Sequence, residues 1–484
     1  MIDIKLLYRR CLALVGAFML LGGCTVGPNY IRPAATPRMP ATYKEASGWK
    51  TAQPGGAAIT GEWWRVFNDP ALNDLEQQVN VSNQNLLAAE AAFRQASAAI
   101  QAARAAAYPT VSAGASVTRA RLSATEGTPS KTGTTYTLPV DFSWEIDLWG
   151  RVRRNVEAST ATAQASAADL ALLRLSTQAQ LAQTYFQLRM QDAQQVLLDA
   201  TVSNYKKTLE LTRNLYAAGV DASSDVLLAE TQMETTQAQA IDLGVLRAQL
   251  EHAIATLIGK PASSFRLPVS PLVEMLPSIP MGIPSDLLER RPDIAMAERQ
   301  MAADNALIGV AEAAWYPTIT LSASGGLESS SFSRWFSWPS RFWSVGPSVS
   351  ETVYDGGLRA SQNSQARAVY DVGVANYRQT VLAAFQDVED NLAALRILES
   401  EAKVEDEAVR TSRKSVVVAE NQYRAGTVGY LNVLTAQTAE LGNERTAITL
   451  RGNRMMDSVL LIKALGGGWD ASVLKDVEKP TAPL

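Results

Sequence analysis

Residues 136–147 read YTLPVDFSWEID, and polar and apolar side chains alternate along them. Tyr136, Leu138, Val140, Phe142, Trp144 and Ile146 are apolar, whereas Thr137, Asp141, Ser143, Glu145 and Asp147 are polar. Successive strand residues point to opposite faces, so this pattern predicts a β-strand with one apolar and one wet face. Directly after it the pattern changes. From Arg151 to Ala218 no glycine or proline interrupts the chain, and one helix over those residues would be about 100 Å long. Few, clean strands in a chain this helical need an explanation.

The same order of elements occurs twice. YAAGVDASSDVLLAETQ (216–232) lies over YRAGTVGYLNVLTAQTA (423–439) without a gap, at an offset of 207. Tyr216, Gly219, Val226, Leu227, Ala229 and Thr231 thereby meet Tyr423, Gly426, Val433, Leu434, Ala436 and Thr438. At an offset of 208, AAYPTVSAGAS (106–116) meets AWYPTITLSAS (314–324). The chain is two copies of a unit of about 200 residues, far longer than a solenoid repeat. The copies are assigned to 63–260 and 284–468, with a linker at 261–283 and a tail at 469–484.

Each copy begins with a helix (84–107 and 292–314) that a Tyr-Pro pair stops. Two strands follow, at 110–121 and 135–147 in the first copy and at 318–328 and 342–354 in the second. Then come a long helix (151–218 and 358–425), a glycine turn, and a return helix ending near Gly259 and Gly466. Leu181, Leu188, Val202, Leu209 and Tyr216 fall on one seven-residue series, broken at Gln195, which predicts supercoiled packing. The helices are rich in Ala, Ser, Thr and Gln, which suits packing around a wet interior; a solvated structural coiled coil is the competing reading.

Strands of this length and alternation match transmembrane β-strands. Tyr108, Tyr136, Trp144, Trp149, Trp315, Tyr316, Trp343 and Tyr354 sit near their ends, where interfacial aromatic girdles belong. Four strands cannot close a membrane barrel, and an open edge is not tolerated in lipid. Several chains must therefore contribute to one barrel. That answers the opening question: each strand is a stave, not part of a separate domain.

The N-terminus carries Lys5, Arg9 and Arg10 before a short apolar run from Cys11 to Leu21, the layout of an export signal. The run ends in LGGC, Leu21 to Cys24, which resembles a bacterial lipobox; an ordinary signal with a chance cysteine is the alternative. In the lipobox reading cleavage falls between Gly23 and Cys24. Cys24 then carries acyl chains such as palmitate and starts a lipid-anchored extended segment, 24–62. Removing residues 1–23 leaves 41 basic and 47 acidic residues, a net charge of −6. This acidity gives no support for a nucleic-acid partner. Cys11 leaves with the signal, so no thiol pair remains for a disulfide. One histidine, His252, leaves little material for a metal centre or a His-based triad, and no cofactor is expected. Asp141, Glu145 and Asp147 could be taken for an acid pair, but lumen-facing polar residues belong on that strand face in any case, so an enzyme is not expected.

Several stretches resemble the TolC-like outer membrane factors, most closely the lipoprotein branch serving resistance–nodulation–division drug pumps. They are CTVGPNYIRP (24–33), SWEIDLWGRVRR (143–154), LIGKPASSF (257–265), PSDLLERRPDI (284–294), AWYPTITLSASGG (314–326) and YRAGTVGYLNVL (423–434). The resemblance implies a mainly α fold with a small membrane β part. Three chains would form a twelve-stranded β-barrel in the outer membrane, continuous with a periplasmic α-helical barrel. Expected partners are two further copies, a periplasmic adaptor protein, an inner-membrane proton-driven pump and outer membrane lipid. The function implied is a passive exit duct for drugs or other small toxic compounds; a duct for an ABC-transporter-driven protein exporter is the alternative. In the family the second-copy turn narrows the closed tunnel, with a leucine or acidic ring tied by polar links. The corresponding positions here are Leu431, Asn432 and Thr435, with Asp225 as the carboxylate at the equivalent first-copy position. The gate is therefore expected to be neutral. Gly219, Asp221, Arg424 and Gly426 mark the tip turns expected to meet the adaptor.

Overall fold

The two sequence copies fold into matched sets of elements. The computed structural model describes residues 25–36, 40–46, 61–121, 123, 132–270, 272, 277, 279 and 286–478. Helix α1 (Pro70–Ser82) and helix α2 (Gln84–Ala105) open the first copy. Three strand segments follow, β1 (Thr110–Ala113), β2 (Ser116–Arg121) and β3 (Thr132–Glu145). Helix α3 (Arg151–Ala217) and helix α4 (Ser223–Leu257) then form a hairpin. The second copy runs α5 (Pro292–Ala313), β4 (Thr318–Ser329), β5 (Arg341–Ser350), α6 (Leu358–Arg424) and α7 (Tyr430–Ala464). Both long helices have 67 residues and both return helices 35. Among the described residues no helix is long and apolar enough to cross a membrane.

The strands form one antiparallel sheet in the order β1/β2, β3, β4, β5. Val111 pairs with Phe142, Phe142 with Ala323, and Trp144 with Leu321, so apolar partners share one face. Asp141, Ser322, Ser324, Ser344 and Ser348 lie on the other. The expected single strand 110–121 is split. Its two pieces keep one register against β3, and the break lies opposite Pro139, which has no N–H to donate. The Gly114 amide still donates to the Pro139 carbonyl at 3.1 Å. The expected strand 342–354 stops at Ser350. Beyond it the chain is drawn into a helix cap: the Gly357 and Arg359 amides donate to Asp355 at 2.9 and 3.1 Å, and Arg359 reaches Thr352 O at 2.5 Å.

That cap has a counterpart in the first copy. Asp147 accepts from the Val152 and Arg153 amides at 3.1 and 3.0 Å. A carboxylate on free helix N–H groups is favoured by hydrogen bonding and by the helix dipole. Gly150 and Gly357, with φ of 84° and 94°, turn the chain from sheet into helix at both places.

Halfway down the helices lies the main core, centred on Trp63, Trp64, Tyr185, Phe186, Leu188, Ile254, Tyr377, Val388 and Val459. Leu181, Leu188, Val202 and Leu209 of the heptad series are buried, whereas Tyr216 is 50% exposed and leaves the series in the last turn. Beside the core, Arg189 donates to Asp192 at 3.0 Å and to Pro268 O at 2.7 Å, and Arg247 donates to Asp192 at 2.7 Å. This buried cluster holds the linker against α3 and α4. The same repeat position in α6 is Arg396, which grips Glu45 of the N-terminal segment at 2.5 Å. The Lys44 and Glu45 amides donate to Glu389 at 2.7 and 2.9 Å. Equivalent arginines thus hold non-equivalent chain segments.

The N-terminal segment runs from the foot of the sheet toward that core. The Val26 amide donates to Trp149 O at 3.0 Å, Tyr30 Oη to Glu298 at 2.5 Å, and Arg32 Nε to Tyr377 Oη at 3.1 Å. A Cβ on Gly27 would lie 2.4 Å from Gly309 Cα, so only glycine lets strap and helix approach this closely.

Gly326 tests the sheet register. A Cβ there would lie 2.1 Å from Leu138 O. Gly326→Ala is expected to push β3 from β4 and cost about 1–3 kcal/mol of overpacking. The check is the yield and melting temperature of the assembled membrane form; values equal to wild type would contradict the β3–β4 register.

Candidate functional site

The site has two ends, the sheet and the helix tips. At the sheet, Val111, Val117, Val140, Trp343, Val345 and Val349 leave an exposed apolar face. Hydroxyls and carboxylates occupy the opposite face, where Ser324 Oγ donates to Asp141 at 2.6 Å. Aromatics mark both rims of the sheet. Phe332, Phe336 and Trp338 are exposed in the loop between β4 and β5, and Tyr108, Trp315 and Tyr316 at the helix side. Trp149 stacks on Tyr316 at 4.8 Å and donates to Pro317 O at 2.8 Å. One apolar face, one polar face and two aromatic rims are the parts of a membrane stave.

The carboxylates that could suggest acid–base chemistry have structural partners. Glu145 takes a two-pronged bond from Arg151 at 3.0 and 2.6 Å, and Asp147 caps α3. Among the described residues no group of acids, histidines and cysteines could hold a metal ion.

Each helix tip turns on a glycine. Gly219 and Gly426 have φ of 73° and 68°. The Val220 amide donates to Leu215 O at 2.9 Å and the Thr427 amide to Gln422 O at 3.0 Å, closing each helix with a Schellman-type bond. Open space surrounds both glycines, so backbone conformation alone demands them.

The hairpins are tied to each other at this level. Tyr423 Oη donates to Asp221 and lies 2.9 Å from Thr212 Oγ1. Tyr423 also meets Tyr430, ring centroids 5.8 Å apart. Burial first, and the bond to Asp221 second, push the Tyr423 phenol well above its ordinary value. It therefore stays a donor at neutral pH. Sequence reading flagged Asp221 but missed Tyr423, Thr212 and Tyr430. The repeat alignment pairs Tyr423 with Tyr216, yet Tyr423 is 2% exposed against 50% for Tyr216. Only an inequality between the copies could have signalled the tie.

Leu431 is 63% exposed, and Asn432 and Thr435 are exposed beside it on the first turns of α7. The Thr435 hydroxyl is satisfied by Leu431 O at 2.8 Å. Asp225 is half-buried in the first turn of α4. Arg424 lies 3.7 Å from Glu420 of its own helix. Gly23 and Cys24 lie outside the described residues, but Thr25 packs on Gly150 at the foot of the sheet.

The tie predicts a measurable coupling. Tyr423→Phe and Asp221→Asn should each cost about 1.5–3 kcal/mol of local stability, and the double variant little more than either single one. Amide exchange at 219–221 and 426–428 reads this directly; additive effects would refute the tie. Because the folded phenol is raised, the tie is complete below about pH 10 and is lost only as pH rises through the raised value.

Comparison with known proteins agrees with this geometry. The outer membrane efflux protein family model matches residues 75–260 and 283–467, one match per copy. The chain is 31% identical over 467 residues to the probable efflux pump outer membrane protein TtgC of Pseudomonas putida, covering 95% of this chain and 96% of that one. It is 32% identical over 439 residues to the pyoverdine export outer membrane protein OpmQ of the same species, covering 88% and 92%. Among solved structures, the outer-membrane channel OprN superposes with a TM-score of 0.87 at 32% identity, over 92% of this chain and all of that one. The open-state MtrE channel of Neisseria gonorrhoeae gives 0.81 at 27% identity, over 93% and 99%. With two-faced staves above and paired glycine-turned helix hairpins below, the chain belongs to the outer membrane efflux protein family and is an outer-membrane efflux channel, not an enzyme.

Proposed function

We propose that three copies of this chain close one twelve-stranded barrel, with a helical tunnel hanging from it into the periplasm. The tunnel passively conducts small apolar toxic compounds delivered by an adaptor and a proton-driven inner-membrane pump. The observation that carries this reading is the open, two-faced sheet. Among the described residues, β1 and β2 pair only with β3, and β5 pairs only with β4. Their outer edges need partners, because unpaired backbone groups are not tolerated in hydrocarbon. Two further copies supply them. Relatives named for toluene and solvent efflux support an apolar cargo.

The lipid reading is supported by the strap. The chain is pinned at Thr25 and Val26 to the membrane end of α3, one residue after Cys24. Acyl chains on Cys24 then reach the same bilayer the barrel occupies, and add to an anchor the barrel already provides. Mass spectrometry of the mature protein should find cleavage after Gly23 and an acylated Cys24; an unmodified cysteine would refute the lipobox.

At the tip the reading is a neutral constriction of Leu431 and Asn432, with Thr435 satisfied by its own helix and Asp225 set back. Charged rings attract cations and titrate, and a Leu/Asn ring does neither. Leu431→Ser should raise the conductance of the purified trimer in a planar bilayer several-fold, with weak block by trivalent cobalt complexes. Unchanged conductance, or strong block that Asn432→Ala abolishes, would overturn the neutral gate. Gly219, Asp221, Arg424 and Gly426 form the adaptor-facing turns. Gly426→Val forces a β-branched residue to positive φ; it should impair efflux complementation while leaving the trimer intact.

A further inference from the structure

The apolar face of the sheet changes character at the end away from the helices. Register places Arg119, Arg121 and Arg341 on the same face as Tyr136, Val140 and Trp343. Arg119 stands opposite Thr134 near the end of β2, and Arg341 stands opposite Leu327 at the start of β5. Among the described strand residues no carboxylate shares this face, because Asp141, Glu145 and Glu328 alternate onto the polar side. In sequence, 117–136 holds Arg119, Arg121 and Lys131 against Glu126, and 327–343 holds Arg334 and Arg341 against Glu328. This end is cationic. An arginine on a lipid-facing strand costs about 2–4 kcal/mol at the bilayer midplane and about 0–1 near the interface, which fixes these side chains at headgroup level.

A second, independent feature lies on the same face. The loop between β4 and β5 folds back over it: Tyr136 meets Phe332 and Trp335, ring centroids 5.6 Å away in both cases, and Trp335 Nε1 donates to Leu327 O at 3.3 Å. Phe332, Phe336 and Trp338 remain exposed in this loop. Arg341 lies over the Trp338 ring and donates from Nε to Trp338 O at 3.1 Å, which leaves its Nη groups without a hydrogen bond among the described residues. Arg119 has neither a hydrogen bond nor an ion pair among them. Exposed rings beside uncompensated guanidinium groups suit a ligand with both hydrocarbon and negative charge.

Barrel closure brings the arginines together. Within one copy, β3 and β4 separate β2 from β5, about 14 Å at the usual strand spacing. In the closed barrel the open edge of β2 lies beside the open edge of the next copy's β5, about 5 Å away. The two strands run in opposite directions there, so the Arg119 end of one meets the Arg341 end of the other.

We infer that each junction between copies binds the phosphate of an acylated, multiply anionic lipid in the outer leaflet, a reading that rests on the three-copy barrel proposed above. Guanidinium forks match phosphate oxygens two at a time. Arg119 and Arg341 from neighbouring copies donate to the phosphate, and the acyl chains run down the apolar face past Val345 and Val349.

The test titrates the purified trimer with diphosphoryl lipid A, and with the same lipid stripped of its phosphates, and counts bound lipid by native mass spectrometry. The phosphorylated lipid should bind saturably and the stripped one much more weakly. Arg119→Gln and Arg341→Gln should each weaken binding about tenfold, the loss of one charge-assisted bond. Arg119→Lys, which keeps the charge, should retain most of the affinity and separates loss of charge from loss of fold. Equal binding of the stripped lipid, wild-type affinity in both glutamine variants, or full displacement by inorganic phosphate alone overturns the lipid site. A trimer that gives any of these results leaves the barrel standing, whereas a chain that never appears as a trimer in the spectrum removes the three-copy reading itself.

Discussion

A β-strand in hydrocarbon cannot leave its edge unpaired, because each orphaned N–H or C=O costs several kcal/mol, and no water is present to replace the missing bond. Here one protomer makes a sheet of four staves with two open edges. It is an arc and not a barrel. Everything else depends on that incompleteness. The strands must alternate, because one face meets lipid and the other water. Assembly must be closed and symmetric, because the same two edges have to be matched around a ring. The helices must leave the sheet at fixed points, and Asp147 and Asp355 do this by capping α3 and α6 where they begin.

The duplication supplies matched lengths without matched roles. Helices of 67 and 35 residues recur in both copies, so both hairpins reach the same depth. Their neighbours differ. Arg189 is buried with Asp192 and holds the linker, while Arg396 reaches the N-terminal segment. Tyr423 is enclosed and tied to Asp221, while Tyr216 faces outward. Two kinds of hairpin therefore give two kinds of tip.

Between the membrane and the tip, polar clusters and close glycine contacts hold the parts in register. Asp192 is 1% exposed with two arginines on it. Such a cluster contributes little net stability compared with an apolar equivalent, but removing one partner costs about 3–5 kcal/mol. Its value lies in specifying where the linker sits. The strap acts similarly, with Arg154 donating to Gly27 O at 3.1 Å and to Asn29 at 2.9 Å. It joins the foot of the sheet to the core midway down the helices.

Sequence alone determined the elements, the duplication and the need for more than one chain. Alternation at period two, long runs free of glycine and proline, and a matched offset are local properties, legible without knowing what touches what. The neutral residues at Leu431, Asn432 and Thr435 were legible in the same way. Tertiary structure decided the rest. It broke the first stave opposite Pro139, ended the last one at Ser350, took Tyr216 out of the heptad series and buried Tyr423 against Asp221. Each of these depends on a partner brought close by folding, in most cases from far along the chain. Two copies with the same local pattern meet different surroundings, and no pattern within one copy records which surroundings it will meet.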